Sequence, residues 1–187
     1  MKATGIVRRI DELGRIVVPK EIRRILRITE GDPLEIFTDR DGQIVLKKYS
    51  SINELSDFAK ACADSLHQHT GNITCIVDKD HVVAITGGSK KDFYDKRISV
   101  ELERAIIKRM DPMSANRKDE AFIPVLEDEE AVEGLYSYQA IAPVICQGDA
   151  YGAVIFLSSD KKMSAVDMVM AKTAAELLGK HASFGLL

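Results

Sequence analysis

Four short apolar runs and one short helix crowd the first fifty residues, separated by turn residues. Gly5-Ile6-Val7-Arg8-Arg9-Ile10 mixes β-branched and basic side chains and reads as a strand. Asp11-Glu12-Leu13-Gly14 is a turn, with Gly14 available for a positive φ. Arg15-Ile16-Val17-Val18 reads as the returning strand, and Pro19 suits the first position of a helix over 20–26. On that helix Ile22, Ile25 and Leu26 face one way, and Lys20, Arg23, Arg24 and Arg27 mostly the other. Beyond Gly31-Asp32-Pro33, a second hairpin pairs 34–38 with 43–48 around Asp39-Arg40-Asp41-Gly42. A ββαββ unit of about fifty residues lies near the lower limit for burying its own core without a metal, a disulfide or a partner. No metal site or disulfide is visible in it. Two copies sharing one core, by interleaving hairpins, is therefore the expected solution.

A new element begins at Ser50-Ser51, where Ser51 and Glu54 fit a capping box. Ile52, Leu55, Phe58, Ala59, Cys62 and Leu66 follow helical spacing to about His69, so 51–69 is expected to be a helix linking two domains, 1–50 and 51–187. The second domain reads as helix, strands 73–78 and 82–86, helix 97–110, strands 122–126, 137–146 and 151–158, and a final helix capped by Ser164. Residues 111–121 read as an exposed polar loop. On the last helix Val166, Val169, Met170, Thr173, Ala174, Leu177 and Leu178 form the expected stripe, with Met168, Ala171 and Ala175 beside it. So wide an apolar band suggests contact with a second chain as well as with its own sheet.

The formal charge of −3 hides an asymmetry. Residues 1–50 carry eleven Lys and Arg against eight Asp and Glu, a net +3, and 51–187 carry fifteen against twenty-one, a net −6. Within 1–27 the balance is +5, which points to a polyanionic partner. No stretch reaches the roughly 20 apolar residues of a spanning helix, and Lys2, Arg8 and Arg9 lead into no unbroken apolar run. The expected location is cytoplasmic, with no membrane partner.

The candidate site is built from arginine. Arg8 and Arg9 leave their strand on opposite faces, Arg15 opens the next one, and Arg23 and Arg24 project from the helix. A two-fold dimer doubles this set along one surface. The guanidinium fork bonds phosphate oxygens or guanine edges in a bidentate way. Residues 1–49 closely resemble the AbrB-type transition-state regulators. The likeness is carried above all by Thr4-Gly5-Ile6-Val7-Arg8-Arg9-Ile10-Asp11-Glu12-Leu13-Gly14-Arg15-Ile16-Val17-Val18-Pro19, and continues through Glu21-Ile22-Arg23-Arg24, Leu34-Glu35-Ile36-Phe37 and Ile44-Val45-Leu46-Lys47-Lys48-Tyr49. The resemblance implies an α+β chain: a swapped-hairpin dimer with a basic face for double-stranded DNA, contacted by Arg8, Arg15, Arg23 and Arg24. Lys2, Arg9, Lys20 and Arg27 are secondary candidates. The whole chain resembles sporulation members of this family in which a GAF domain follows. That implies a tetramer that activates some forespore-specific genes and represses others, with a GAF-like domain that oligomerises and senses an unidentified small-molecule effector.

Other motifs weigh less. Thr86-Gly87-Gly88-Ser89-Lys90 lacks the spacing of a phosphate-binding loop and reads as a turn. His67 and His69 do not share a helix face, so no metal site is expected. Cys75 and Cys146 read as small core residues, and Glu127-Asp128-Glu129-Glu130 as a solvated loop. No catalytic constellation emerges and no cofactor is implied, so an enzyme is not expected. Two alternatives stay open: a small-molecule receptor whose output is DNA binding, with polar loops near 87–97 and 111–121, and an antitoxin-like interaction protein.

Overall fold

The computed structural model describes residues 5–50, 52 and 55–184. The chain divides into two compact units, residues 1–49 and 50–187. In the first, α1 (Lys20–Ile25) is followed by an antiparallel hairpin of β1 (Leu34–Thr38) and β2 (Ile44–Lys48), in register from Leu34↔Lys48 to Thr38↔Ile44. Pro19 is the N-cap of α1, one position earlier than expected. The β1–β2 turn is fixed by Asp39, whose carboxylate accepts from the Asp41 (3.0 Å) and Gln43 (2.8 Å) amides.

The expected strands 5–10 and 15–18 do not form a ladder with each other or with β1 and β2. Among the described residues, the backbone bonds between the two segments are those of the turn: Gly14 N–H donates to Asp11 O (3.0 Å) and Asp11 N–H to Arg15 O (3.1 Å). The reason lies in burial. No described residue of 5–49 is buried, and Val7, Leu13 and Val17 are 86%, 75% and 73% exposed. A hairpin whose apolar side chains have nothing to pack against is marginal in water.

The second unit holds α2 (Ser56–Thr70), β3 (Ile73–Val77), β4 (Val82–Thr86), α3 (Lys90–Phe93), α4 (Val100–Ile107), β5 (Met113–Asn116), a 3₁₀ turn (Glu129–Val132), β6 (Tyr138–Cys146), β7 (Asp149–Ser158) and α5 (Ala165–Phe184). The capping-box residues Ser51, Asn53 and Glu54 lie outside the described residues. The five strands form one antiparallel sheet in the order β4-β3-β7-β6-β5. On one face α2 packs on β3 and β4, and α5 on β6 and β7. There Ile52, Ala59, Leu66, Ile76, Val154, Phe156 and Leu178 make the core. The opposite face is filled by Phe93, Ile98, Leu102, Ile106, Val125, Leu126 and Tyr136.

Three expectations change here. First, α5 is rotated from its expected face: Ala171, Ala174, Ala175 and Leu178 are buried, whereas Val166, Val169 and Leu177 are exposed. Small residues let the helix lie close to the sheet. A Cβ at Gly179 would stand 2.9 Å from Ile145 O, so the backbone itself makes this approach. Second, the fifth strand is Met113–Asn116, inside the expected polar loop, and 122–126 is not a strand. That segment makes only an isolated antiparallel bridge, Ile98 opposite Leu126, and side chains hold it further. The buried Gln139 amide donates to Ile123 O (2.9 Å) and accepts from its N–H (2.8 Å). Glu129 Oε2 accepts from the Val125 (3.1 Å) and Leu126 (3.2 Å) amides. Third, Glu129 is therefore not part of a solvated loop. Its Oε1 accepts from Arg117 Nη2 (2.6 Å) and from the buried Tyr136 hydroxyl. Burial first, and then the Glu129 charge, push the Tyr136 hydroxyl well above its ordinary pKa. Arg117 also lies against both the Phe122 and Tyr136 rings, 4.9 and 4.8 Å from their centroids, while the two rings stack on each other at 6.1 Å.

Glu129 thus clasps the segment 117–136 to the sheet. Glu129→Ala leaves a half-buried guanidinium and a buried hydroxyl without their acceptor. It is expected to destabilise the second unit by about 2–4 kcal/mol, measured by urea unfolding, with Glu129→Gln losing less.

Candidate nucleic-acid interface

The candidate cations sit on three local structures. Arg8 and Arg9 lie in the extended segment before the turn, both exposed. Arg15 closes the turn. Lys20, Arg23 and Arg24 are exposed on α1, with Arg23 and Arg24 in its last turn, where the helix dipole favours cations. Arg27 follows α1 in a left-handed conformation (φ 51°) and is half-buried, and its carbonyl accepts from Lys48 Nζ (2.9 Å). Its position is that of a turn residue more than of a free surface cation. Lys2 lies outside the described residues.

Asp11 is the part of this site that sequence reasoning did not single out. Its Oδ1 accepts from the Leu13 (3.0 Å) and Arg15 (2.8 Å) amides, and its Oδ2 pairs with Arg15 Nε at 2.7 Å. One carboxylate therefore shapes the turn and aims the guanidinium. The available signal was the four-residue spacing of Asp11 and Arg15 across a turn ended by Gly14 (φ 75°). The backbone bond from Arg15, then its side-chain bond, hold the Asp11 carboxyl below its ordinary pKa. Arg8, Arg9, Lys20, Arg23 and Arg24 make no ion pair with a described residue. Apart from Arg15, these are exposed cations without a described counter-charge, on a unit whose apolar side chains also stand open. It contains no nucleophile–base pair, and among the described residues no group of three potential metal ligands occurs.

Residues 54–183 match the family described as stage V sporulation protein T C-terminal, transcription factor. The chain is 47% identical over 181 residues to the stage V sporulation protein T of Bacillus subtilis, covering 97% of this chain and 98% of that one. The chain belongs to the stage V sporulation protein T family. Residues 7–54 match a second family, antidote-toxin recognition MazE, bacterial antitoxin. Over 49 residues the chain is 63% identical to the transition state regulatory protein AbrB of Bacillus subtilis, covering 26% of this chain and 50% of that protein. The fold is similar to the GAF-B domain of DevS from Mycobacterium smegmatis, with a TM-score of 0.54 and 14% identity over 72% of this chain and 95% of that one. The family member described here thus has an AbrB-like first unit and a second unit of GAF-like fold, and no helix among its described residues is long and apolar enough to cross a membrane.

The lowered pKa of Asp11 has a definite sign. A depressed carboxylate contributes to turn stability above its unfolded pKa, and that contribution is lost as pH falls through the folded value. An NMR titration is expected to place Asp11 below an ordinary aspartate. In Arg15→Ala the pKa is expected to move back up, since the side-chain bond is gone while the backbone bond remains.

Proposed function

We propose that this chain is a cytoplasmic transcription regulator of sporulation, forespore-specific genes, activating some and repressing others, and that it binds double-stranded DNA through the first units of paired chains. The observation that carries the reading is the coincidence, within residues 5–49, of unburied apolar side chains and exposed arginines, of which Arg8, Arg9, Arg23 and Arg24 have no ion pair with a described residue. The apolar set calls for a second copy of the unit, and interleaved hairpins are the arrangement in which strands 5–10 and 15–18 gain ladder partners. Pairing then doubles the cations. Arg8, Arg15, Arg23 and Arg24 are the proposed DNA contacts, with Arg9 and Lys20 beside them. The 63% identity to AbrB over this unit supports the assignment.

Arginines on a turn and a short helix end suit phosphate contact and readout of groove shape more than a base-by-base code. Asp11 holds Arg15 in one direction before DNA arrives, which lowers the ordering cost of binding. The GAF-like unit is proposed to join dimers into a tetramer, with Val166, Val169 and Leu177 as the exposed apolar face for that contact.

The likeness of residues 7–54 to an antitoxin family favours a second reading, a protein partner for the first unit. Recovery of the chain from its host in a tight complex with a small toxin, and without affinity for promoter DNA, would support that reading instead.

Gel-shift titration across salt concentrations tests the DNA assignment. If a dimer neutralises six to eight phosphates, log affinity should fall against log salt with a slope of about −5 to −7. Arg15→Ala, which stays folded because Arg15 is exposed, should cost about 1–3 kcal/mol and flatten the slope by about 2 per dimer. An unchanged slope and affinity would remove Arg15 from the site.

A further inference from the structure

Both faces of the five-stranded sheet are covered, except at one edge. The face opposite α2 and α5 is closed by α4, the segment 117–136 and Phe93. Its neighbouring loop is closed too: the Val82 amide donates to Lys96 O (3.0 Å) and the Asp95 amide to Val82 O (3.0 Å). On the helix-bearing face, α2 reaches over β4 and β3, and α5 over β7 and β6, and among the described residues neither packs extensively on edge strand β5. A groove of about 540 Å³ remains there. Its size is that of a small-molecule site, which typically spans about 300–1,000 Å³.

The pairing register shows which side chains enter it. Ser114 stands opposite Ala140, and Asn116 opposite Tyr138. Ala140 and Tyr138 belong to the core beneath the helices, so Ser114 and Asn116 project to that face. Lys118 lines it too, as do Lys162 and the buried Met163 from the segment between β7 and α5. The groove is therefore rich in donors. Neither ammonium is paired with a described residue, and no described partner engages the Ser114 or Tyr138 hydroxyl. Asn116 Oδ1 already accepts from the Lys118 amide (2.9 Å), which leaves its NH₂ as the free end. Asp119, the one carboxylate of the lining, is partly engaged, since its Oδ2 accepts from the Asn116 amide (2.7 Å). These two bonds also fix the loop that carries Lys118.

We propose that this groove binds a small oxyanion, a phosphorylated or carboxylated molecule held between the Lys118 and Lys162 ammoniums with the Tyr138 and Ser114 hydroxyls donating to it. Two cations against one occupied carboxylate set the sign of the ligand, and the hydroxyl and amide donors give it direction. The site lies across the sheet from the filled face of the GAF-like unit, and it does not depend on the arginines assigned to DNA. It gives a chemical class to the effector of a receptor-type regulator.

Isothermal titration of the full chain with inorganic pyrophosphate and, separately, with citrate tests this at fixed ionic strength. One saturable site per chain is expected for at least one of the two. Pyrophosphate alone binding would assign the phosphorylated source, and citrate alone the carboxylated one. The K118Q/K162Q double variant removes two charge-assisted contacts and should weaken binding by at least about tenfold. Both lysines are exposed, so this variant folds. Tyr138→Phe keeps the ring and should weaken binding by about threefold or more, through loss of the hydroxyl alone. The R15A/R24A variant should bind as the parent does. The proposal is overturned if neither anion saturates, if K118Q/K162Q binds unchanged, or if R15A/R24A abolishes the signal, which would move the anion to the DNA-binding arginines.

Discussion

The first unit is governed by apolar surface that a single chain leaves in water. Ile6, Val7, Ile10, Ile16 and Val17 stand exposed before α1, and Ile36, Phe37, Ile44, Val45 and Leu46 after it. Burying such side chains stabilises by about 1.5–3 kcal/mol each, so leaving all of them open is incompatible with a stable isolated unit. The same constraint explains why residues 5–10 and 15–18 form no ladder, although their sequence favours strands. It also couples folding to function. The arginines of a single chain occupy an extended segment, a turn and a helix end, and in the proposed dimer they form one surface once a partner orders the segments between them.

The second unit solves the opposite problem. Its sheet is covered on both faces, and its polar exceptions are bonded. Asp167 ties Ser164 at the head of α5 to Asn72 beside β3, accepting from the Ser164 amide (2.7 Å) and from Asn72 Nδ2 (2.9 Å). Glu129 does the same on the far face, bonding two backbone amides, a guanidinium and a phenol. This unit therefore has a core of its own, while its remaining openings lie at the β5 edge and along the outer face of α5.

Much of this was legible in the sequence. Alternation and turn residues located β1 to β4, β6 and β7, and helical spacing located α2, α4 and α5. The resemblance carried by Thr4 to Pro19 led to the family that the whole-chain comparison establishes. What could not be read was set by contacts between distant residues. Met113–Asn116 is too short and polar to announce a strand, and only its ladder with β6 makes it one. Residues 122–126 have strand composition, yet they pair with residue 98 only through one isolated bridge, and Gln139 and Glu129 bond the rest of their backbone. The face of α5 was misjudged because alanine and Gly179 are weak apolar signals, whereas close helix–sheet packing selects for them. Asp11 was passed over as a turn residue, and its role appeared only when its carboxylate was found on Arg15.

In the proposed arrangement a second chain completes the DNA-binding surface, because one first unit cannot bury itself. Sedimentation equilibrium of residues 1–50, combined with thermal melts at several concentrations, addresses it most directly. A folded species of twice the chain mass, with a melting temperature that rises with concentration, is expected. A folded species of single-chain mass, melting at the same temperature at every concentration, would contradict it.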